Sequence, residues 1–203
     1  MKSVALIGYS GHAFVIADSI IEMGFTLVGY FDHHAKELNP FELTFLGTDE
    51  LIIQNEETYY FPSIGNNVLR KNVFLRLKSQ NCRTLNVVHP TSFVSKKVIL
   101  GSGNFISAGA QINALAQLGN GCIVNTGAVI EHECIISNYV HIAPGAILLG
   151  NVQVGESSFI GSNSTIKPGV KIGSNVVIGA GSVVLKDIPE GETWAGNPAR
   201  KIK

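Results

Sequence analysis

The sequence predicts an α/β chain in two parts, a Rossmann-like βαβ front followed by a parallel β-helix built from hexapeptide repeats. Three observations carry this. Counting in sixes from Val94, every stop through Val184 is aliphatic, sixteen in a row. The residue two places before a stop is most often small, as at Ala110, Ala116, Cys122, Ala128, Cys134, Ala146, Ser158, Ser164 and Ser182, and Gly often follows the stop directly. The first 85 or so residues lack that period and instead alternate short apolar runs with helix-like stretches.

A strand repeats with period two and a helix with period 3.6, so six residues with one large and one small inward position fit a short strand and a corner. Three such sides close a triangular coil of about 18 residues, and successive coils stack about 4.8 Å apart, the strand spacing of any sheet. Residues 92 to 185 then make roughly five coils around a column of Ile, Leu and Val that no single repeat could bury alone.

In the front part, Ser3 to Gly8 (SVALIG) reads as a buried strand, GYSGHA as a turn, Phe14 to Met23 as a helix and Thr26 to Asp32 as a second strand. After a loop with Pro40 and Gly47, Tyr59 to Ile64 reads as a third strand. Pro62 sits awkwardly there because proline cannot donate to a ladder. A helix from about Asn67 to Ser79 and a fourth strand from Leu85 to Val88 follow. His89-Pro90 marks a boundary, giving expected domains of 1–86 and 87–203, the second ending in a C-terminal cap.

With 203 residues, zero formal net charge, 45% hydrophobic and 15% charged residues, the chain has an ordinary globular balance. Nothing advertises a nucleic-acid or acidic-membrane partner. The apolar stretch after Met1 and Lys2 is too short and broken for a signal peptide, and no run approaches a membrane span, so a cytoplasmic protein is expected. Three cysteines argue against a disulfide scaffold, and Cys122 and Cys134 fall at the small inward position as reduced core filler.

Two places in the chain can carry chemistry. Gly8, Ser10, Gly11 and His12 lie on the first βα turn, where unpaired N–H groups at a helix N-terminus can hold a phosphate. Asp32 ends the second strand, where it can accept from a sugar or base, and Ile64-Gly65-Asn66-Asn67 faces the same carboxyl edge. The loop lacks the full GxGxxG spacing. A mononucleotide or nucleotide-sugar site, a dinucleotide site, and a turn that Gly8 and Gly11 merely permit all stay open.

The second place lies in VIEHECIISNYVH, residues 129 to 141. Ile130 and Cys134 are the inward pair, which leaves His132 and Glu133 at a corner, facing out. A neutral imidazole can take a proton from an attacking amine or hydroxyl, a carboxylate beside it fixes its tautomer, and such a base contributes roughly a hundred- to ten-thousand-fold in rate. The bland alternative is a surface corner histidine. Gly150, eighteen residues on, places bare backbone over His132, open to a thioester carbonyl and able to offer an N–H. His141, just before inward Ile142, is also expected to face outward, half a coil away; a three-fold assembly could bring it opposite a neighbour's His132.

The repeat, IEHEC at 130 to 134 and the ending Trp194-Ala195-Gly196-Asn197-Pro198-Ala199-Arg200 together resemble the hexapeptide-repeat acyltransferases with a left-handed β-helix. With SGH at 10 to 12, Asp32, IGNN at 64 to 67 and Arg70, the chain is similar to the subgroup of UDP-4-amino-sugar N-acetyltransferases. The resemblance implies that His132 is the general base and that Glu133 tunes it. It puts His141 and Gly150 on the acetyl-CoA side and the backbone of Ser162 and Ala180 along the pantetheine arm. It further implies that Ser10, Gly11, His12, Asp32, Gly65 and Phe74 hold the UDP-sugar, that the protein is a homotrimer with sites between subunits, and that no metal takes part. Where the family often has a second acidic residue after the one at Asp32, this chain has His33; Pro62 is another departure.

Four rivals are distinguishable. A sugar O-acetyltransferase of the sialic acid type would prefer hydroxyl acceptors. A hexapeptide metal enzyme of the γ-carbonic anhydrase type needs three histidine ligands around zinc, and His89, His132 and His141 offer no obvious triad. A non-catalytic nucleotide-sugar binder would not turn over acetyl-CoA, and an NAD-linked oxidoreductase would bind nicotinamide.

Overall fold

Residues 2–203 are described by the structure, a computed structural model. β1 (Ser3–Ile7), β2 (Thr26–Phe31) and β3 (Thr58–Pro62) form a parallel sheet in the order β2-β1-β3. α1 (Gly11–Glu22) crosses from β1 to β2 and buries Ala13, Ile16, Ala17 and Ile20, which cluster with Val4 and Leu6 of β1. The same cluster takes in Val87, Phe105 and Ile123 of the β-helix, so α1 is wedged between sheet and prism. α2 (Asn67–Ser79) buries Val73 and Leu77 with Ala5, Ile7 and Phe31.

Pro62 is tolerated for a geometric reason. It ends the edge strand β3, and the N–H of Tyr60, two residues earlier and pointing the same way, bonds outward to Arg83 O at 2.8 Å. The link back to β1 comes from Ser63 N to Ile7 O at 2.9 Å, so proline removes no bond from the sheet.

The expected fourth front strand is a correction. Only Val87–Val88 (β4) is extended, and it pairs with Phe105–Ile106 as the first rung of the prism. An apolar pair of residues does not name its partner; here Val87 N to Asn104 O and His89 N to Ile106 O, both 2.9 Å, assign it to the coil.

The prism has three parallel faces whose rungs pair at an offset of 18 residues, as Ile123 with His141, Val129 with Ile147 and Ile135 with Gln153. The first face runs from Val87–Val88 to Val177–Ile178, is extended by Thr193–Ala195, and ends with the antiparallel Arg200–Lys201. The second runs from Phe93–Val94 to Val183–Val184, the third from Ile99–Leu100 to Lys171–Ile172. This makes about six coils rather than five, because Val88, six before Val94, already counts as an inward stop. Ile106, Ile130, Ile142, Ile160 and Ile178 are fully buried in the central column, each contributing roughly 1.5–3 kcal/mol of transfer free energy.

Cys122 and Cys134 are free, buried thiols at the small position, each pushed up to about 11 by burial. At the edge joining the second and third faces, Leu115, Glu133, Asn151 and Gly169 stack with φ of 66°, 60°, 59° and 74°. Each of these four coils turns the corner through one left-handed residue.

Candidate active site

The corner geometry presents His132. Its flanks, Ile130 and Cys134, are locked inward, and its own carbonyl accepts the Asn151 N–H of the next coil at 2.9 Å. His132 Nδ1 lies 3.0 Å from Glu133 Oε2, with both side chains about 60% exposed. A carboxylate can only accept, so Nδ1 carries the proton and Nε2 offers a lone pair to solvent. Gly150 is stacked directly above: a Cβ there would stand 2.5 Å from His132 Cε1 and 2.6 Å from Nε2.

A second cluster forms where the front region meets the first face. His141 points away from the prism interior as expected, but the front region covers it to 8% exposure, which corrects the expectation of an open position. Its Nδ1 meets Gly65 O at 3.3 Å, its Nε2 meets Asn125 Nδ2 at 3.2 Å, and its ring centroid is 6.1 Å from His12. Burial, reinforced by the Arg70 charge, pushes His12 down to about 4 and His141 down to about 3. His12 Nε2 is a buried atom with no hydrogen-bond partner among the described residues.

Asp32 pins the first βα turn. Its Oδ2 accepts Tyr9 N at 2.9 Å, and its Oδ1 accepts His33 N at 2.7 Å and Lys36 Nζ at 2.9 Å. Burial alone would raise this carboxyl, but the hydrogen bonds from Lys36, Tyr9 and His33 hold it below its ordinary range. Gly8, Asp32, His33, Asp49 and Ile64 line a cleft at the carboxyl edge of the sheet. His33, Asp49 and Ile64 carry it on into a groove of about 210 Å³ walled by Leu69, Asn72 and Arg76 of α2. Ser10 and Gly11 line a separate apolar cleft with Tyr9, Phe14, Lys36 and Leu38.

The structure therefore brings His12, Gly65 and His141 together, and His132, Glu133 and Gly150 together, as two separate groups on one chain. Ser162 and Ala180 stack on a further edge, between the first and second faces, with Gly181 N donating to Ser162 O at 2.8 Å. Phe74, expected at the nucleotide sugar, is instead 1% exposed, packed edge-on to Tyr139 and against Gly103; a ring buried in the seam reaches no ligand. Sequence reasoning missed Asn125, Lys36 and the structural part played by Arg70. The one available signal for Arg70 was its spacing from Asn67 on the helix. Among the described residues no group of His, Cys, Asp or Glu could hold a metal ion.

A βαβ front seated on a hexapeptide prism that carries an imidazole–carboxylate pair at its edge defines a transferase of the hexapeptide-repeat class. The PglD N-terminal domain family matches residues 3–77, and the bacterial transferase hexapeptide family (six repeats) matches residues 151–186. The acetyltransferase domain of PglB from Neisseria gonorrhoeae is 33% identical with a TM-score of 0.95, over 100% of both chains. PerB from Caulobacter crescentus, solved with CoA and GDP-perosamine, is 32% identical with a TM-score of 0.94, over 100% of this chain and 98% of that one. The UDP-N-acetylbacillosamine N-acetyltransferase of Bacillus subtilis is 37% identical over 113 residues, 53% of this chain; the match spans about half (52%) of that relative. A second curated relative, from Acanthamoeba polyphaga mimivirus, is matched over 24% of its length. The chain belongs to the PglB/PerB family of hexapeptide-repeat acetyltransferases, with a PglD-type front domain on a left-handed β-helix.

Proposed function

We propose that this protein transfers the acetyl group of acetyl-CoA to the 4-amino group of a UDP-4-amino-4,6-dideoxy sugar, with His132 as general base. The observation that carries the reading is the His132–Glu133 pair at an open edge, its Nε2 lone pair free and the bare backbone of Gly150 above it. The amine nitrogen attacks the thioester carbon, Nε2 takes the proton, and the tetrahedral intermediate collapses with loss of CoA thiolate. The Gly150 N–H, which makes no hydrogen bond among the described residues, is the donor for the developing oxyanion. Glu133 holds the imidazole in the tautomer that can accept.

The front region supplies the sugar nucleotide through the turn Ser10, Gly11, His12 and the cleft of Asp32 and His33. PerB, the relative solved with both CoA and GDP-perosamine, supports a nucleotide-linked amino sugar, and the Bacillus relative supports the uridine form. Gly150 and the Ser162–Ala180 rail occupy different edges of one prism. One extended acetyl-CoA touches both only where two chains meet, which favours a homotrimer with sites between subunits and only the uncovered margin of His141 on the acetyl-CoA side. No helix among the described residues is long and apolar enough to cross a membrane. The two substrates are cytoplasmic metabolites, so we assign the protein to that compartment.

An acceptor panel tests this. UDP- and GDP-linked 4-amino sugars, their 4-hydroxy counterparts and sialic acid are each incubated with acetyl-CoA and the purified protein, and thiol release is followed. The expected result is release with a UDP-4-amino sugar alone. Release driven by hydroxyl acceptors would replace the reading with O-acetylation, and none with any acceptor would remove it.

A further inference from the structure

α2 runs along one edge of the prism in step with the coils. Asn67 Nδ2 donates to Ser157 O at 2.9 Å, Arg70 reaches Tyr139 O and Gly121 O at 2.9 and 2.7 Å, and Phe74 packs on Gly121 and Gly103. Successive turns of the helix thus meet coils 18 residues apart. A helical turn rises about 5.4 Å and a coil about 4.8 Å. The mismatch of about 0.6 Å per turn is small enough for side chains to absorb over two turns.

Arg70 is the centre of this strip. It is 2% exposed, has no carboxylate partner among the described residues, and uses all five of its N–H donors. Nε bonds Gly121 O, Nη1 bonds Ile64 O and Gly65 O at 3.1 and 2.9 Å, and Nη2 bonds Asn67 Oδ1 and Tyr139 O at 2.8 and 2.9 Å. One planar group therefore ties the end of β3 to two coils. The Gly65 carbonyl that it holds is the same one that meets His141 Nδ1. On the far side of the ring, Asn125 Oδ1 accepts Thr126 N at 2.8 Å, which turns the amide NH2 toward His141 Nε2. Both neighbours agree: Nδ1 carries the hydrogen and Nε2 the lone pair.

We infer that Arg70 is a positioning residue, which by clamping the Gly65 carbonyl between the front region and the prism fixes the Nδ1–H tautomer and the orientation of the buried His141. Asn125, oriented by Thr126 N, supports the same tautomer but is not required for it. The structural part rests on these contacts alone; only its catalytic consequence rests on the function proposed above. A lysine at 70 keeps the charge but offers three donors from one point, leaving at least two of the five acceptors unpaired and the Gly65 loop free to shift.

The experiment uses the full protein labelled with 15N-histidine, and long-range imidazole correlations at pH 7 report each tautomer without any substrate. Wild type is expected to show His141 as the Nδ1–H form. Arg70→Lys should convert it largely to the commoner Nε2–H form while the His132 signal stays put, and Asn125→Ala should leave it Nδ1–H. An unchanged His141 in Arg70→Lys, or a converted one in Asn125→Ala, overturns the inference; the Asn125 variant decides the matter if Arg70→Lys does not fold. In turnover, Arg70→Lys should lower kcat about 100-fold, as the reoriented His141 no longer meets the reactants. A kcat loss of that size with His141 still in the Nδ1–H form would mark Arg70 as merely structural. If no amino sugar is turned over by wild type, the tautomer result still stands or falls by itself.

Discussion

Replacing Gly150 by alanine perturbs the proposed base without touching it chemically. The new Cβ would lie 2.5 Å from Cε1, 2.6 Å from Nε2 and 3.2 Å from Nδ1 of His132, where carbon contacts settle at about 3.5–4.0 Å. The imidazole must retreat by about 1 Å. Gly150 is not among the residues at positive φ, so alanine meets no backbone strain, and the 60% exposed ring can swing into water. Stability should therefore change by about 0.5 kcal/mol or less. A 1 Å displacement of a catalytic group costs about 100-fold in rate, or about 2.7 kcal/mol of transition-state stabilisation. The assay is kcat/KM from thiol release in a double-mutant cycle with His132→Ala. Gly150→Ala alone should lose about 100-fold, and in the His132→Ala background it should lose less than about threefold further. A full second loss in that background, or a single variant retaining half its activity, would refute the idea that Gly150 acts through the imidazole.

Two further predictions follow from local geometry. Glu133 sits at φ 60°, a conformation that costs a non-glycine residue about 1 kcal/mol, so Glu133→Asn should raise the thermal midpoint by a few degrees while slowing acetyl transfer at least tenfold. A variant that is slower but no more stable would show that the corner is unstrained. His12 and His141 are held neutral, at about 4 and about 3 against an ordinary 6.5, so the unfolded chain binds more protons between those values. Their contribution to stability is fully present above pH 6.5 and is lost as the pH falls, amounting to roughly 4 kcal/mol for the pair between pH 8 and pH 5. Urea titrations at the two pH values measure this, and an Arg70→Gln variant, which removes the charge, should show a shallower dependence, since the Arg70 charge is one cause of both depressions. A flat profile would mean that the seam opens to water.

The prism was legible because its periodicity repeats the same physical demand at Ile106, Ile130, Ile142, Ile160 and Ile178, each of which is fully buried. The corner position of His132 followed from the same count, since inward Ile130 and Cys134 leave nowhere else for it to point. What escaped lies where the two regions meet. The strand at Val87–Val88 pairs with Phe105–Ile106 rather than with β3, a choice made by backbone partners that an apolar pair does not encode. His141 is covered by Gly65, 76 residues earlier in the chain, and Arg70 is buried by carbonyls of Gly121 and Tyr139; neither separation leaves a local trace. The His33 departure reads differently in the structure. Its N–H serves Asp32 from the backbone, a bond any residue there except proline could make.

The most direct measurement is a crystal structure of the protein with CoA and a UDP-4-amino-4,6-dideoxy sugar bound together. The account predicts the sugar amine within about 3.2 Å of His132 Nε2, with the CoA sulfur passing beneath the Gly150 N–H of that same edge. An amine held against a different base, with His132 facing open solvent, would contradict it.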